Sequence, residues 1–191
     1  DAGAQVREDA TAGADVVPDG LDVQTGNEYR QDLRDASGAF ANTLKRGLQA
    51  LYTVHGDEPL LAQEAGDAIR AAARSAGFDE RKVFNVSGAH FDWSAVLGAA
   101  QSMSLFAQAQ VIEIRIPSGK PGKDGSEALQ RYVARLPAGQ PEGVLTLVQC
   151  PRLDGQQLKS AWFAALDGAG ASVRVEPVER AALPAWIAQR L

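Results

Sequence analysis

Strand-like and helix-like segments alternate five times along residues 52–187, and this alternation most constrains what the chain can fold into. Tyr52-Thr53-Val54 is a β-rich run ending at the turn signal His55-Gly56. Leu61, Ala65, Ala68, Ile69 and Ala72 then recur at helical spacing, with Asp57 as the expected cap, Pro59 in the first turn and Gly77 as the stop. Val83-Phe84-Asn85-Val86 predicts the second strand. Asp92 caps a helix with Trp93, Val96, Leu97 and Ala100 inward. Residues 111–116 predict the third strand, closed by Pro117. Residues 118–125 read as a flexible polar loop, and Ser126 as the cap of a helix bearing Leu129, Tyr132, Val133 and Leu136. Residues 144–148 are apolar but for Thr146, as in a strand covered on both faces. A helix over 155–166, a strand over 171–175 and a helix begun by Leu183, Trp186 and Ile187 complete the series. Upstream, Leu44, Leu48 and Leu51 predict a helix over 43–51. The order predicts an α/β fold: a mostly parallel five-stranded sheet with helices on both faces.

The charge is unevenly spread. Of 24 acids and 19 bases, residues 1–31 hold seven and two, leaving 17 of each in the remainder. Residues 1–31 also carry few large apolar side chains, and read as a flexible acidic leader that adds little to a core. The remainder has no net field to draw in DNA. One cysteine, Cys150, excludes an internal disulfide and a multi-cysteine zinc site. Two histidines, His55 and His90, leave little for a metal cluster, and both read as surface or capping residues. The apolar runs are too short to span a membrane, and no signal peptide is visible, so the expected location is cytoplasmic.

An α/β sheet of this kind often holds a nucleotide at the turn after its first strand. That turn reads His55-Gly56-Asp57-Glu58-Pro59-Leu60-Leu61. It lacks the lysine and hydroxyl of a phosphate loop, carries two acids, and loses an amide donor at Pro59. Glu113 alternates with apolar neighbours and reads as solvent-facing. Cys150 ends a buried strand and reads as a small apolar filler. Trp93, Trp162 and Trp186 read as core. No catalytic residue, cofactor or metal site is expected.

One stretch resists a purely structural reading. Gln101-Ser102-Met103-Ser104-Leu105-Phe106 joins a helix to a strand across the surface, yet places three large apolar residues within four positions. No single period turns all three inward. The residues alone leave two readings open: a connection folded under the sheet edge, or an exposed apolar plug for another protein.

Three stretches then carry a resemblance: Gly47-Leu48 through Tyr52 to residues 56–61, the 101–106 stretch, and Ala161-Trp162-Phe163 with Leu166, supported by Leu183-Pro184 and Trp186. With them the sequence resembles the delta subunit of the bacterial DNA polymerase III clamp loader. The resemblance implies an AAA+-like domain with a degenerate nucleotide site. It implies a clamp-contact site at Gln101, Met103, Ser104, Leu105 and Phe106, with the sliding clamp and other clamp-loader subunits as partners. DNA is met only indirectly and there is no membrane. No intrinsic activity is expected, although the holoenzyme is a DNA-directed DNA polymerase, a nucleotidyltransferase acting in DNA replication. The expected organisation is a leader over 1–31, an AAA+-like clamp-binding domain over 32–178, and the start of a following lid over 179–191. The alternatives are a nucleotide-binding NTPase-type domain and a generic α/β scaffold without clamp contact.

Overall fold

The computed structural model describes residues 30–33, 39–88, 90–101, 109–178, 180–181 and 183–188. Its elements in chain order are β1 (Arg30–Leu33), α1 (Ala39–Arg46), β2 (Leu51–Gly56), α2 (Pro59–Ser75), β3 (Phe78–Asn85), α3 (Trp93–Gln101), β4 (Ala109–Arg115), α4 (Gly122–Val133), β5 (Val144–Pro151), α5 (Ala161–Ala169), β6 (Ala171–Val175) and α6 (Leu183–Ala188). The strands form one sheet in the order β1-β6-β2-β5-β4-β3, and every pairing is parallel.

The five strands expected from the sequence are all present. A sixth, β1, pairs with β6 from Arg30↔Ser172 to Leu33↔Val175, so the sheet reaches into the stretch read as leader. Residues 1–29 lie outside the described residues. β5 has the central position that its apolar run demands, between β2 and β4.

Two cores flank the sheet. On one face Phe40 and Leu44 of α1 and Leu61, Ala65 and Ile69 of α2 pack on Val54, Val111, Leu145, Leu147 and Val173. On the other, Trp93 and Val96 of α3, Leu129 and Tyr132 of α4, and Trp162, Phe163 and Leu166 of α5 pack on Ile112, Ile114 and Val148. This is the helix-on-both-faces architecture expected, and both cores are aliphatic with aromatic plugs.

Local boundaries depart from the sequence reading for identifiable reasons. The helix expected over 43–51 ends at Arg46. After Gly47 the chain is drawn into the sheet, with Ala50 N donating to Gly139 O at 2.7 Å and Thr146 N to Ala50 O at 2.8 Å. The polar loop expected over 118–125 turns helical at Gly122, so Ser126 lies inside α4 and caps nothing. A Cβ on Gly125 would sit 2.6 Å from the Trp93 ring, so this glycine serves the α3–α4 contact rather than loop flexibility. The helix expected over 155–166 divides at Ser160, whose ψ of 150° is extended. Before it, Asp154 Oδ1 accepts from Gln156 N at 2.9 Å and Gln157 N at 2.7 Å, opening a short 3₁₀ turn instead. α2 stops as expected: Gly77 has φ 90°, a left-handed geometry that glycine adopts without strain.

Candidate functional site

The stretch singled out in the sequence lies between α3 and β4. Gln101 is the last residue of α3, and its backbone alone is described. Met103, Ser104, Leu105 and Phe106 lie outside the described residues, and the chain returns at Ala109, the first residue of β4. The described residues therefore bound the stretch at Gln101 and Ala109.

Both ends are fixed. At the start of α3, Asp92 Oδ1 accepts from Ser94 N at 2.9 Å and from Ser94 Oγ at 2.5 Å, the expected N-cap. These bonds hold the Asp92 carboxyl below its ordinary pKa. Trp93 is buried beside Gly125 and stands edge-on to Phe91, with ring centroids 5.0 Å apart. At the other end of α3 the carbonyl of Ala99 accepts from the side-chain Nε2 of Gln110 at 3.0 Å. Gln110 is only 3% exposed. Its backbone N donates to Gly143 O at 2.9 Å, and it sits between Glu80 of β3 and Val144 of β5. A buried side chain on β4 thus bonds a carbonyl in the last described turn of α3. The sequence reading passed over Gln110. Its signal was available: an amide at the mouth of an apolar strand, where burial demands a polar partner.

The turn after β2 is taken up by the chain's own acids. The N-cap of α2 is Glu58 rather than Asp57, and its own carboxylate accepts from Leu60 N at 3.2 Å. Pro59 occupies the first helical position. Asp57 instead pairs with Arg152 at 3.0 Å. An anion of the chain's own occupies the positive helix end where a phosphate would bind. A Cβ on Gly56 would also collide with the Val175 carbonyl, so the turn is pressed against β6.

Glu113 overturns the sequence reading. It is fully buried, not solvent-facing. Oε1 accepts from Arg115 Nε at 2.6 Å and lies 2.6 Å from its Nη2. Oε2 accepts from Arg81 Nε at 2.9 Å, lies 2.7 Å from Arg81 Nη2, and is 3.2 Å from Arg70 Nη1. Arg70 also holds Asp67 at 2.7 Å. A carboxylate with both oxygens engaged by three guanidinium groups has no free lone pair directed at a substrate, and acts as a structural tie between α2, β3 and β4.

His55 is likewise a correction, because it is buried in β2 with its ring edge-on to Phe163 at 5.2 Å. His90 is exposed, as expected. Cys150 is the buried filler expected; burial pushes its thiol pKa up to about 12, so the nucleophilic thiolate is suppressed. Trp93 and Trp162 are core, whereas the side chain of Trp186 lies outside the described residues. A groove of about 690 Å³ lies between α1 and the end of α2, lined by Leu44, Leu48, Ala68, Ala72, Phe78 and Pro141, with Lys45 the one charged side chain among the described residues that line it. Among the described residues there is no cluster of three or more His, Cys, Asp or Glu arranged for a metal. Among them also, no helix is long and apolar enough to cross a membrane.

The profile of the family described as DNA polymerase III, delta subunit, matches residues 52–176, from β2 to just past β6. The chain belongs to the DNA polymerase III delta subunit family. It is 35% identical to the DNA polymerase III subunit delta of Escherichia coli (strain K12) over 147 residues, covering 77% of this chain and 41% of that protein. It is 29% identical to the DNA polymerase III subunit delta of Haemophilus influenzae over 124 residues, covering 65% of this chain and 34% of that protein. The chain thus spans less than half the length of these relatives. The matched region contains the α3–β4 connection and the turn after β2, and the parallel α/β sheet agrees with an AAA+-like domain.

Proposed function

We propose that this chain is the clamp-binding portion of a DNA polymerase III delta subunit, a non-catalytic part of the clamp loader acting in the cytoplasm. Gln101, Met103, Ser104, Leu105 and Phe106 contact the sliding clamp. Leu105 and Phe106 fill an apolar pocket on the clamp, Met103 packs beside them, and Gln101 bonds at the rim. Ser104 lies within the same contact. Residues 179–191 begin the lid that follows, and contacts with other loader subunits belong to the longer protein.

The observation that supports this reading most directly is the α3–β4 connection. A stretch with Met, Leu and Phe lies in sequence between α3 and β4, which one buried hydrogen bond ties together. The turn after β2 supports the non-catalytic part of the reading, since Glu58 and Asp57 stand where phosphate would be held.

Clamp opening follows from differential affinity. If the stretch binds the opened ring more tightly than the closed one, binding shifts the ring toward the open state by that difference. Taking a state from rare to dominant requires roughly 5 kcal/mol, and apolar anchors in a pocket supply about 2–4 kcal/mol each as truncation losses. Clamp affinity of the wild-type chain against a Leu105→Ala/Phe106→Ala double mutant tests the reading. Loss of binding in a folded mutant supports it; unchanged affinity overturns it.

A further inference from the structure

We infer that the ledge formed by Arg81, Val83 and Asn85 of β3 with Arg115 of β4 is a docking surface for an acidic segment of a partner protein. Two guanidinium groups held in place by Glu113 take its carboxylates, and Val83 takes an apolar side chain. The inference is independent of the proposed clamp contact. Arg115 lies at the opposite end of β4 from Ala109, about 20 Å away at the rise of a strand.

Register puts these side chains on one face. Val83 pairs with Glu113, Asn85 with Arg115, and Arg81 with Val111. Alternate residues of a strand share a face, and paired neighbours point the same way. Val111 packs in the core beneath α1 and α2, so the ledge belongs to that side of the sheet. Yet Arg81, Val83 and Asn85 are all exposed, and Val83 is 39% exposed beside a fully buried Glu113. The helices on that side cover β4 at Glu113 and leave β3 open.

Glu113 sets the two arginines. Each brings Nε and Nη2, one edge of its guanidinium, to a carboxylate oxygen of Glu113. The planar group has a second edge, Nη1 with Nη2, that can bind another carboxylate. Nη1 of Arg81 and Nη1 of Arg115 bond no group among the described residues, and the side chains are 42% and 43% exposed. A surface arginine normally loses rotamer freedom when it binds. These two are already ordered, so binding costs less. Arginine clusters recognise acidic motifs, and arginine is enriched in protein interfaces.

Charge points to an acidic occupant. Arg70, Arg81 and Arg115 face two carboxylates, Glu113 and Asp67, which leaves one positive charge in excess. Nucleic acid fits less well. Beyond residue 31 the chain carries equal numbers of acids and bases, so no field gathers a polyanion. The exposed valine on the ledge also offers nothing to a phosphate backbone, whereas a peptide has apolar side chains to place on it.

The experiment titrates the full chain with a fluorescein-labelled pentapeptide, four glutamates around a central leucine, and reads anisotropy. Val83→Glu puts a competing carboxylate on the ledge and leaves the Glu113 bonds in place. Arg115→Lys keeps the charge and removes the fork. Circular dichroism checks folding, and Asn85→Glu serves if Val83→Glu is not folded. Saturable binding is expected, weakened by salt and at least about tenfold by Val83→Glu, with a smaller loss in Arg115→Lys. The same peptide with glutamine for glutamate should not bind. Peptide-induced NMR shifts should appear at the Val83 methyls and not at Leu60, an exposed apolar residue on α2. No saturable binding to the parent at millimolar peptide overturns the inference. So does equal affinity in the parent and a folded Val83→Glu or Asn85→Glu. Short double-stranded DNA that binds more tightly than the peptide, and is lost in the same variants, overturns it in favour of a phosphate surface.

Discussion

Arg115 and Glu113, two residues apart on β4, close a forked ion pair in which Arg115 Nε and Nη2 both stand 2.6 Å from Glu113 Oε1. The second carboxylate oxygen is taken by Arg81 of β3 and Arg70 of α2, so one buried acid gathers cations from three elements. Among the described residues β3 has β4 as its one neighbour in the sheet, and this network fastens it.

Replacing Glu113 should therefore destabilise the domain. Removing one partner of a buried ion pair typically costs about 3–5 kcal/mol, because the remaining charge is left uncompensated. Here Arg81 and Arg115 are 42% and 43% exposed and can be rehydrated, whereas Arg70 is 15% exposed. The expected loss for Glu113→Gln is accordingly about 2–3 kcal/mol. Urea unfolding measures it, and Arg81→Ala should cost less than Glu113→Gln. A Glu113→Gln variant as stable as the parent would show that the network contributes nothing net.

Alkaline pH should weaken the fold in a defined window. Burial raises the Cys150 thiol from 9.0 to about 12 and the Tyr132 hydroxyl from 10.0 to about 12. The Tyr132 hydroxyl also shares a 2.7 Å hydrogen bond with Thr146 Oγ1, which offsets part of its shift. The folded state keeps both protons at pH values where the unfolded chain releases them. Stability is thus fully present below about pH 9 and falls as pH rises toward 12, first through Cys150 and then through Tyr132 as well. Each group contributes a slope of about 1.4 kcal/mol per pH unit inside its window. Urea midpoints at pH 7, 9.5 and 10.5 check this, and Cys150→Ala should remove the part that begins near pH 9.

Much of this fold is legible in one dimension, and what is not shares a cause. The apolar run at 144–148 marked a strand covered on both faces, and β5 is that strand. Only the apolar end of β3 stood out, because its first half, Asp79-Glu80-Arg81-Lys82, is charged as outer strands are. Glu113 was misread because alternation with apolar residues signals an exposed face only where one face is exposed, and β4 has helices over both. Two of its three partners, Arg70 and Arg81, lie 43 and 32 positions away. The candidate site divides the same way. The odd composition of residues 101–106 was visible, while the bond from Gln110 to Ala99 appears only once helix and strand are packed.

Nucleotide should neither bind nor stabilise. Glu58 caps α2 through Leu60 N, and Asp57 is paired with Arg152 across the turn. Glu58→Ala should cost about 1 kcal/mol as a lost N-cap and create no ATP site, since Pro59 and Asp57 remain. Millimolar ATP with magnesium is expected to leave the melting temperature of the parent and of Glu58→Ala unchanged, because a ligand that does not bind the native state cannot raise it. An ATP-dependent rise in either protein, competed by ADP, would overturn the argument from this turn.

Leu105 and Phe106 offer the sharpest division between the clamp-contact reading and a purely structural one. If they are contacts for a partner, Leu105→Ala/Phe106→Ala should cost the isolated chain about 1 kcal/mol or less, because their main contacts lie in the clamp. The same change should weaken clamp binding at least about a hundredfold, which corresponds to roughly 3 kcal/mol. If they belong to the core, Phe106→Ala alone should cost about 3–5 kcal/mol of stability. Midpoint and affinity therefore move oppositely under the two readings, and both can be measured on one preparation by urea unfolding and calorimetric titration with the clamp. A large stability loss, or undiminished clamp affinity in a folded mutant, would remove residues 101–106 from consideration as the contact.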